Sequence, residues 1–120
     1  MKKMITIVEF AAFSKEAESA LSSEEKDEFV NFIAQNPETG KIIPGTGGVR
    51  KVRWKSNNKG KSGGIRVIYY FYDEHAPIFL LTAYSKGVQE NLTAEQKKQM
   101  YALAQILKHE CRQNRREDHD

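Results

Sequence analysis

Val49-Arg50-Lys51-Val52-Arg53-Trp54 and Ile65-Arg66-Val67-Ile68-Tyr69-Tyr70-Phe71-Tyr72, joined by the polar run Lys55 to Gly64, decide the fold. Both segments are rich in β-branched and aromatic residues. The connection carries Asn57-Asn58, Gly60, Gly63 and Gly64, so the pair is expected to form a hairpin with a long loop. A third strand, Ile78 to Tyr84, follows the turn Asp73-Glu74-His75-Ala76-Pro77 and completes an antiparallel meander.

Outward from this meander the patterns change period. Ile5-Thr6-Ile7-Val8-Glu9-Phe10 reads as an opening strand, with a first helix from about Ser14. Ser22 and Glu25 have capping-box spacing and begin a second helix, whose Phe29, Phe32 and Ile33 share one face. Asn36-Pro37 ends it, since proline disfavours a helical residue before it. Gly40 to Gly48, with Pro44, Gly45, Gly47 and Gly48, is expected as loop. Thr93 to Gln96 forms another capping box, and Met100, Leu103, Ala104 and Leu107 continue a last helix to about Cys111. The expected class is α+β: a small single domain in which helices pack on an antiparallel sheet, in the order β-α-α-β-β-β-α. Residues 1–111 form the domain, and 112–120, nearly all polar, are expected as a disordered tail.

The 120 residues carry 19 Lys plus Arg and 16 Asp plus Glu, a net charge of +3. These charges are segregated. Thr39 to Tyr72 contains no acidic residue and eight basic ones, Lys41, Arg50, Lys51, Arg53, Lys55, Lys59, Lys61 and Arg66, while the rest of the chain is net acidic. A basic block in an acidic frame implies an anionic partner met on one face, with nucleic acid the first candidate. The strand-sized apolar runs fall well short of the roughly 20 residues that span a bilayer, and no signal-peptide pattern follows Met1, so the expected location is the cytoplasm, without a membrane partner. A single cysteine, Cys111, makes no internal disulfide, and no Cys or His cluster has metal spacing; neither metal nor cofactor is expected.

Alternation along the strands sorts the cations. Lys51 and Arg53 project to one side, Val52 and Trp54 to the other, and Arg66 is expected on the Lys51/Arg53 side. Tyr84-Ser85-Lys86, at the end of the last strand, brings a phenol and a fourth cation to the group. Such a cluster suits a phosphodiester, because Arg binds phosphate oxygens bidentately and Lys acts as a point charge. Strand cations also serve solubility and edge protection, although that accounts poorly for the absence of acids. The run Tyr69 to Tyr72 reads as core packing more than base stacking, His75, His109 and His119 as surface residues, and Gly45-Thr46-Gly47-Gly48 as a tight loop, since no helix N-terminus follows it.

Taken together, Gly45-Thr46-Gly47-Gly48-Val49-Arg50-Lys51-Val52-Arg53, Gly63 to Phe71 and Leu80-Leu81-Thr82-Ala83-Tyr84-Ser85-Lys86 resemble the RelE/HigB-like toxins of bacterial type II toxin–antitoxin systems. The likeness covers roughly Ile5 to Lys108 and favours the HigB branch. It implies a ribosome-dependent mRNA endoribonuclease without a metal, held inactive by a cognate, HigA-like helix-turn-helix antitoxin. Ribosome and messenger RNA are the implied partners, with operator DNA reached only through the antitoxin complex. The family's basic–apolar–basic pattern falls on Lys51, Val52 and Arg53, its strand arginine on Arg66, and its basic segment after the last strand on Lys86. Gly87 stands where an arginine is expected, and the family's tyrosine beyond it has no counterpart before Thr93. Proton transfer is therefore left between Lys86 and Tyr84. Lys41, Arg50, Lys55, Lys59 and Lys61 are expected to grip RNA backbone. A non-catalytic RNA- or DNA-binding module, and a subunit that captures an acidic antitoxin segment, stay open beside the enzyme.

Overall fold

A computed structural model describes residues 5–55, 64–85 and 87–119, the last of them through 119 as helical backbone. The chain runs β1 (Ile7–Glu9), α1 (Ala11–Ala20), α2 (Ser23–Gln35), β2 (Lys41–Ile42), β3 (Val49–Trp54), β4 (Ile65–Phe71), β5 (Ile78–Ser85) and α3 (Ala94–His119). The α+β class holds, and β3, β4 and β5 form the expected antiparallel meander. Two features depart from the expectation of a purely antiparallel sheet. β1 pairs in parallel with β5, and the short strand β2 emerges from the segment read as loop to pair with β3, giving the order β1-β5-β4-β3-β2.

Helices cover both faces of this sheet. Because β4 alternates, Ile65, Val67 and Tyr69 join Phe13, Ala17, Phe29 and Ile33 of α1 and α2, while Ile68 and Tyr70 join Ala104 and Leu107 of α3. The central strand is thus buried on both sides and reads as an almost unbroken apolar run, with Arg66 the exception.

Helix boundaries follow local chemistry. α2 begins at the anticipated capping box: the Ser22 hydroxyl accepts from the Glu25 N–H at 3.1 Å, and the Glu25 carboxylate accepts from the Ser22 N–H at 2.9 Å. α1 starts at Ala11 rather than near Ser14, whose hydroxyl donates to the Glu9 carboxylate at 3.0 Å instead of capping the helix. α3 continues eight residues past Cys111, so the segment expected as a disordered tail is helical as far as His119. Its Gln, Arg and Glu residues are good helix formers, and a helix already nucleated against the sheet extends at little cost.

Two turns set the edge of the sheet. Tyr69, fully buried, donates its hydroxyl to the Pro37 carbonyl at 2.8 Å and accepts the Gly40 N–H at 2.8 Å. Burial pushes its phenol above the usual range, against a smaller opposing pull from the Gly40 hydrogen bond. Removing that hydroxyl leaves both backbone groups unmatched, so Tyr69→Phe is expected to lower unfolding free energy by about 2 kcal/mol in urea denaturation, with the m-value unchanged. At the other end of the hairpin, Gly64 has φ +66°, and a Cβ there would run into the Trp54 carbonyl.

Candidate nucleic-acid interface and reaction centre

Strand register places the cations. Arg53 lies opposite Arg66, and Arg66 opposite Tyr84, so three side chains form one row across β3, β4 and β5. The adjacent row runs Lys51, Ile68, Thr82, and Lys51 is in turn opposite Lys41 on β2. Directly opposed residues of an antiparallel pair face the same side with Cβ atoms about 5 Å apart. Lys51, Arg53, Arg66 and Tyr84 therefore converge on the α3 side of the sheet.

A bulge delivers the phenol to that side. Ile68 pairs with Thr82 but Tyr69 with Leu80, so Leu81 is the extra residue on β5. Unbroken alternation would put Tyr84 with Ile78 and Leu80, which pack against α1 and α2. One extra residue turns it to the cationic face, as bulges commonly do beside functional sites.

Burial divides the row. Arg66 is 2% exposed, whereas Arg53 is exposed and Lys51 half-buried. An arginine so deep in a sheet must be matched by fixed polar groups or anions. Glu90, on the connection between β5 and α3, places a carboxylate oxygen 3.9 Å from the Arg66 guanidinium. The Tyr84 hydroxyl donates to the Glu90 carbonyl at 3.3 Å, and the Lys51 ammonium donates to the Asn91 side-chain oxygen at 3.0 Å. Burial raises the Tyr84 phenol above its ordinary range, partly offset by Arg66, so at neutral pH it is a proton donor and not a base.

The connection is braced from α3. Thr93 and Gln96 form the expected capping box, and the Gln96 side-chain oxygen also accepts from the Gln89 amide at 3.0 Å. Glu90 and Asn91 are thereby held over the cations. Sequence reasoning passed over both residues; a carboxylate and an amide three to four residues before a helix give no signal without the tertiary contact.

The remaining RNA candidates separate. Lys41, on β2 opposite Lys51, and Lys55, just past the end of β3, are both exposed. Arg50 departs from the expected RNA-binding group: it lies on the opposite face, where one guanidinium nitrogen donates to the Glu38 carbonyl at 3.1 Å and the Gly40 carbonyl at 2.7 Å, fastening the turn into β2. Lys59, Lys61 and Lys86 lie outside the described residues. In the Gly45–Gly48 turn, fully buried Thr46 donates to the Ile43 carbonyl at 2.6 Å and accepts from the Val49 N–H at 3.1 Å, so the turn is closed on itself.

The family model of the RelE toxin of the RelE / RelB toxin–antitoxin system matches residues 12–117. The chain belongs to the RelE toxin family. An arginine double mutant of the E. coli toxin RelE, solved in the free state, superposes with a TM-score of 0.52 at 16% sequence identity, covering 72% of this chain and 88% of that one. At that identity the match establishes the fold. RelE-family toxins pair with an antitoxin and act on messenger RNA at the ribosome as endoribonucleases. No helix among the described residues is long and apolar enough to cross a membrane.

Proposed function

We propose that this RelE-family toxin is a ribosome-dependent mRNA endoribonuclease whose reaction centre is Lys51, Arg53, Arg66 and Tyr84. The observation that carries the proposal is the row Arg53–Arg66–Tyr84, with Lys51 beside it. Two arginines directly opposed across a strand pair repel one another, a local cost that folding alone gives no reason to keep. A bound phosphodiester converts that cost into binding, because its two non-bridging oxygens accept from both guanidinium groups.

The chemistry follows from the polarity of the row. The 2′-oxygen attacks the adjacent phosphorus, the bond to the 5′-oxygen breaks, and the products are a 2′,3′-cyclic phosphate and a 5′-hydroxyl. Arg53 and Arg66 stabilise the charge that grows on the non-bridging oxygens. Lys51 accepts the 2′-hydroxyl proton on its amine lone pair, and Tyr84, held protonated by burial, gives a proton to the leaving 5′-oxygen. Lys86, two residues after Tyr84 in the sequence, is the alternative donor. Every proton and electron pair in this step is supplied by the RNA and the side chains named.

Lys41 and Lys55 extend the cationic surface; Lys55 and, from their place in the sequence, Lys59 and Lys61 are assigned to ribosomal RNA backbone. The Gly45-Thr46-Gly47-Gly48 and Tyr69-Tyr70-Phe71 strings support our assignment of the chain to the HigB branch, with a HigA-like antitoxin as its inhibitor. Wild-type protein added to translating ribosomes is expected to cut the message within the decoding site, leaving 3′ fragments with free 5′-hydroxyls. Primer extension together with ligation that requires a 5′-hydroxyl reads this directly. Intact message, or fragments bearing 5′-phosphates, would overturn the proposal.

A further inference from the structure

Beside the reaction centre lies a cleft of about 320 Å³ between β2, β3 and the first turn of α3. Its cations come from three separate elements: Lys41 of β2, Lys51 of β3 and Lys97 of α3. Ile43, Pro44 and Leu92 supply apolar lining, and among the described residues no acidic one lines it. The volume sits at the small end of ligand pockets, enough for one nucleotide and too small for a duplex. Lys51 belongs both to this cleft and to the proposed reaction centre, and its hydrogen-bond acceptor Asn91 also lines the cleft, so the two sites are continuous.

The charge arrangement is the second observation. Lys41 and Lys51 are register partners facing the same side, a like-charge rung of the kind that destabilises a sheet. Lys97 adds a third positive charge to the same cleft.

The geometry points to the Lys41–Lys51–Lys97 cleft as a subsite for the nucleotide next to the scissile phosphate, with its base against the Ile43/Pro44/Leu92 lining and its backbone phosphate held by Lys97. This rests on the reaction centre proposed above and extends it along the RNA strand. Single-stranded RNA is the occupant that fits, because lysines from three elements and the apolar side chains of Ile43, Pro44 and Leu92 line one cleft that is continuous with the proposed reaction centre.

The test is equilibrium binding of a 2′-O-methyl RNA hexamer, which has no 2′-hydroxyl to react, followed by fluorescence anisotropy over a range of salt concentrations. Lys97→Ala is expected to weaken binding about fivefold and to reduce the salt slope by about 0.7, the signature of one lost single-strand phosphate contact. Lys98→Ala, the neighbouring lysine outside the cleft, is expected to match wild type. A hexamer with abasic positions is expected to bind more weakly than the complete one if the apolar lining receives a base. Equal affinity and slope for Lys97→Ala and wild type would overturn the subsite, as would displacement of the hexamer by a hexaglutamate peptide at lower concentration than unlabelled hexamer, which would mark a site for an acidic protein segment. Because no cleavage is measured, a failure here leaves the endonuclease reading standing, and a failure to cut message leaves this result standing.

Discussion

Replacing Arg66 with alanine is expected to lower the rate of cleavage of ribosome-bound message by about 10²- to 10³-fold, the usual consequence of removing one preorganised donor to a developing oxyanion. Its position explains the size. Arg66 is the most buried of the candidate cations, on the central strand and between Arg53 and Tyr84, so its guanidinium acts where water competes least. Arg66→Lys keeps the charge and loses the planar fork, and its rate is expected between wild type and Arg66→Ala. Circular dichroism melts of both variants separate a catalytic loss from unfolding, since an arginine at 2% exposure also contributes packing through its stem. Rates equal to wild type in both variants would remove Arg66 from the mechanism.

The second large effect is expected at Tyr84. Tyr84→Phe keeps the ring that packs with Leu81, Leu92 and Ala104 and removes only the hydroxyl, which makes one long hydrogen bond to the Glu90 carbonyl. Loss of a positioned general acid should slow cleavage by about 10²-fold or more. The diagnostic measurement uses a message in which the 5′-bridging oxygen at the cut site is replaced by sulfur. A thiolate leaves without protonation, so Tyr84→Phe should cut this substrate at close to the wild-type rate. If the defect persists with the sulfur substrate, Tyr84 does not protonate the leaving group and the donor must be sought at Lys86. The raised phenol also sets a sign for pH: deprotonation of Tyr84 should inhibit only above the ordinary phenol range, so no loss of activity from this group is expected between neutral pH and its usual titration.

Sequence alternation put Lys51, Arg53 and Arg66 on one side of the sheet, and the strand register agrees. Lys51 and Arg53 flank Val52 at period two, and the β3–β4 register brings Arg66 opposite Arg53. Arg50 shows where the same reasoning stops. It is one position from Lys51 in a basic run, yet a single step along a strand reverses the face, and its guanidinium holds the turn at Glu38 and Gly40. Glu90 and Asn91 were illegible for a different reason: they meet Arg66 and Lys51 only because the Thr93–Gln96 cap folds the connection back over the sheet.

The amino-acid sequence by itself determined the α+β class, the β3–β4–β5 meander, the capping boxes of α2 and α3 and the segregation of charge, because each follows from local periodicity, turn chemistry and composition. Tertiary structure decided the rest: the parallel pairing of β1, the emergence of β2, and the placement of α3 on the face opposite α1 and α2. It also decided that Tyr84 joins the cations, since the bulge at Leu81 interrupts the alternation on which a sequence reading depends. The physical reason is common to all of these. Periodicity shows which residues share a face, but only the packing of distant segments fixes which faces meet and where one extra residue turns a side chain around.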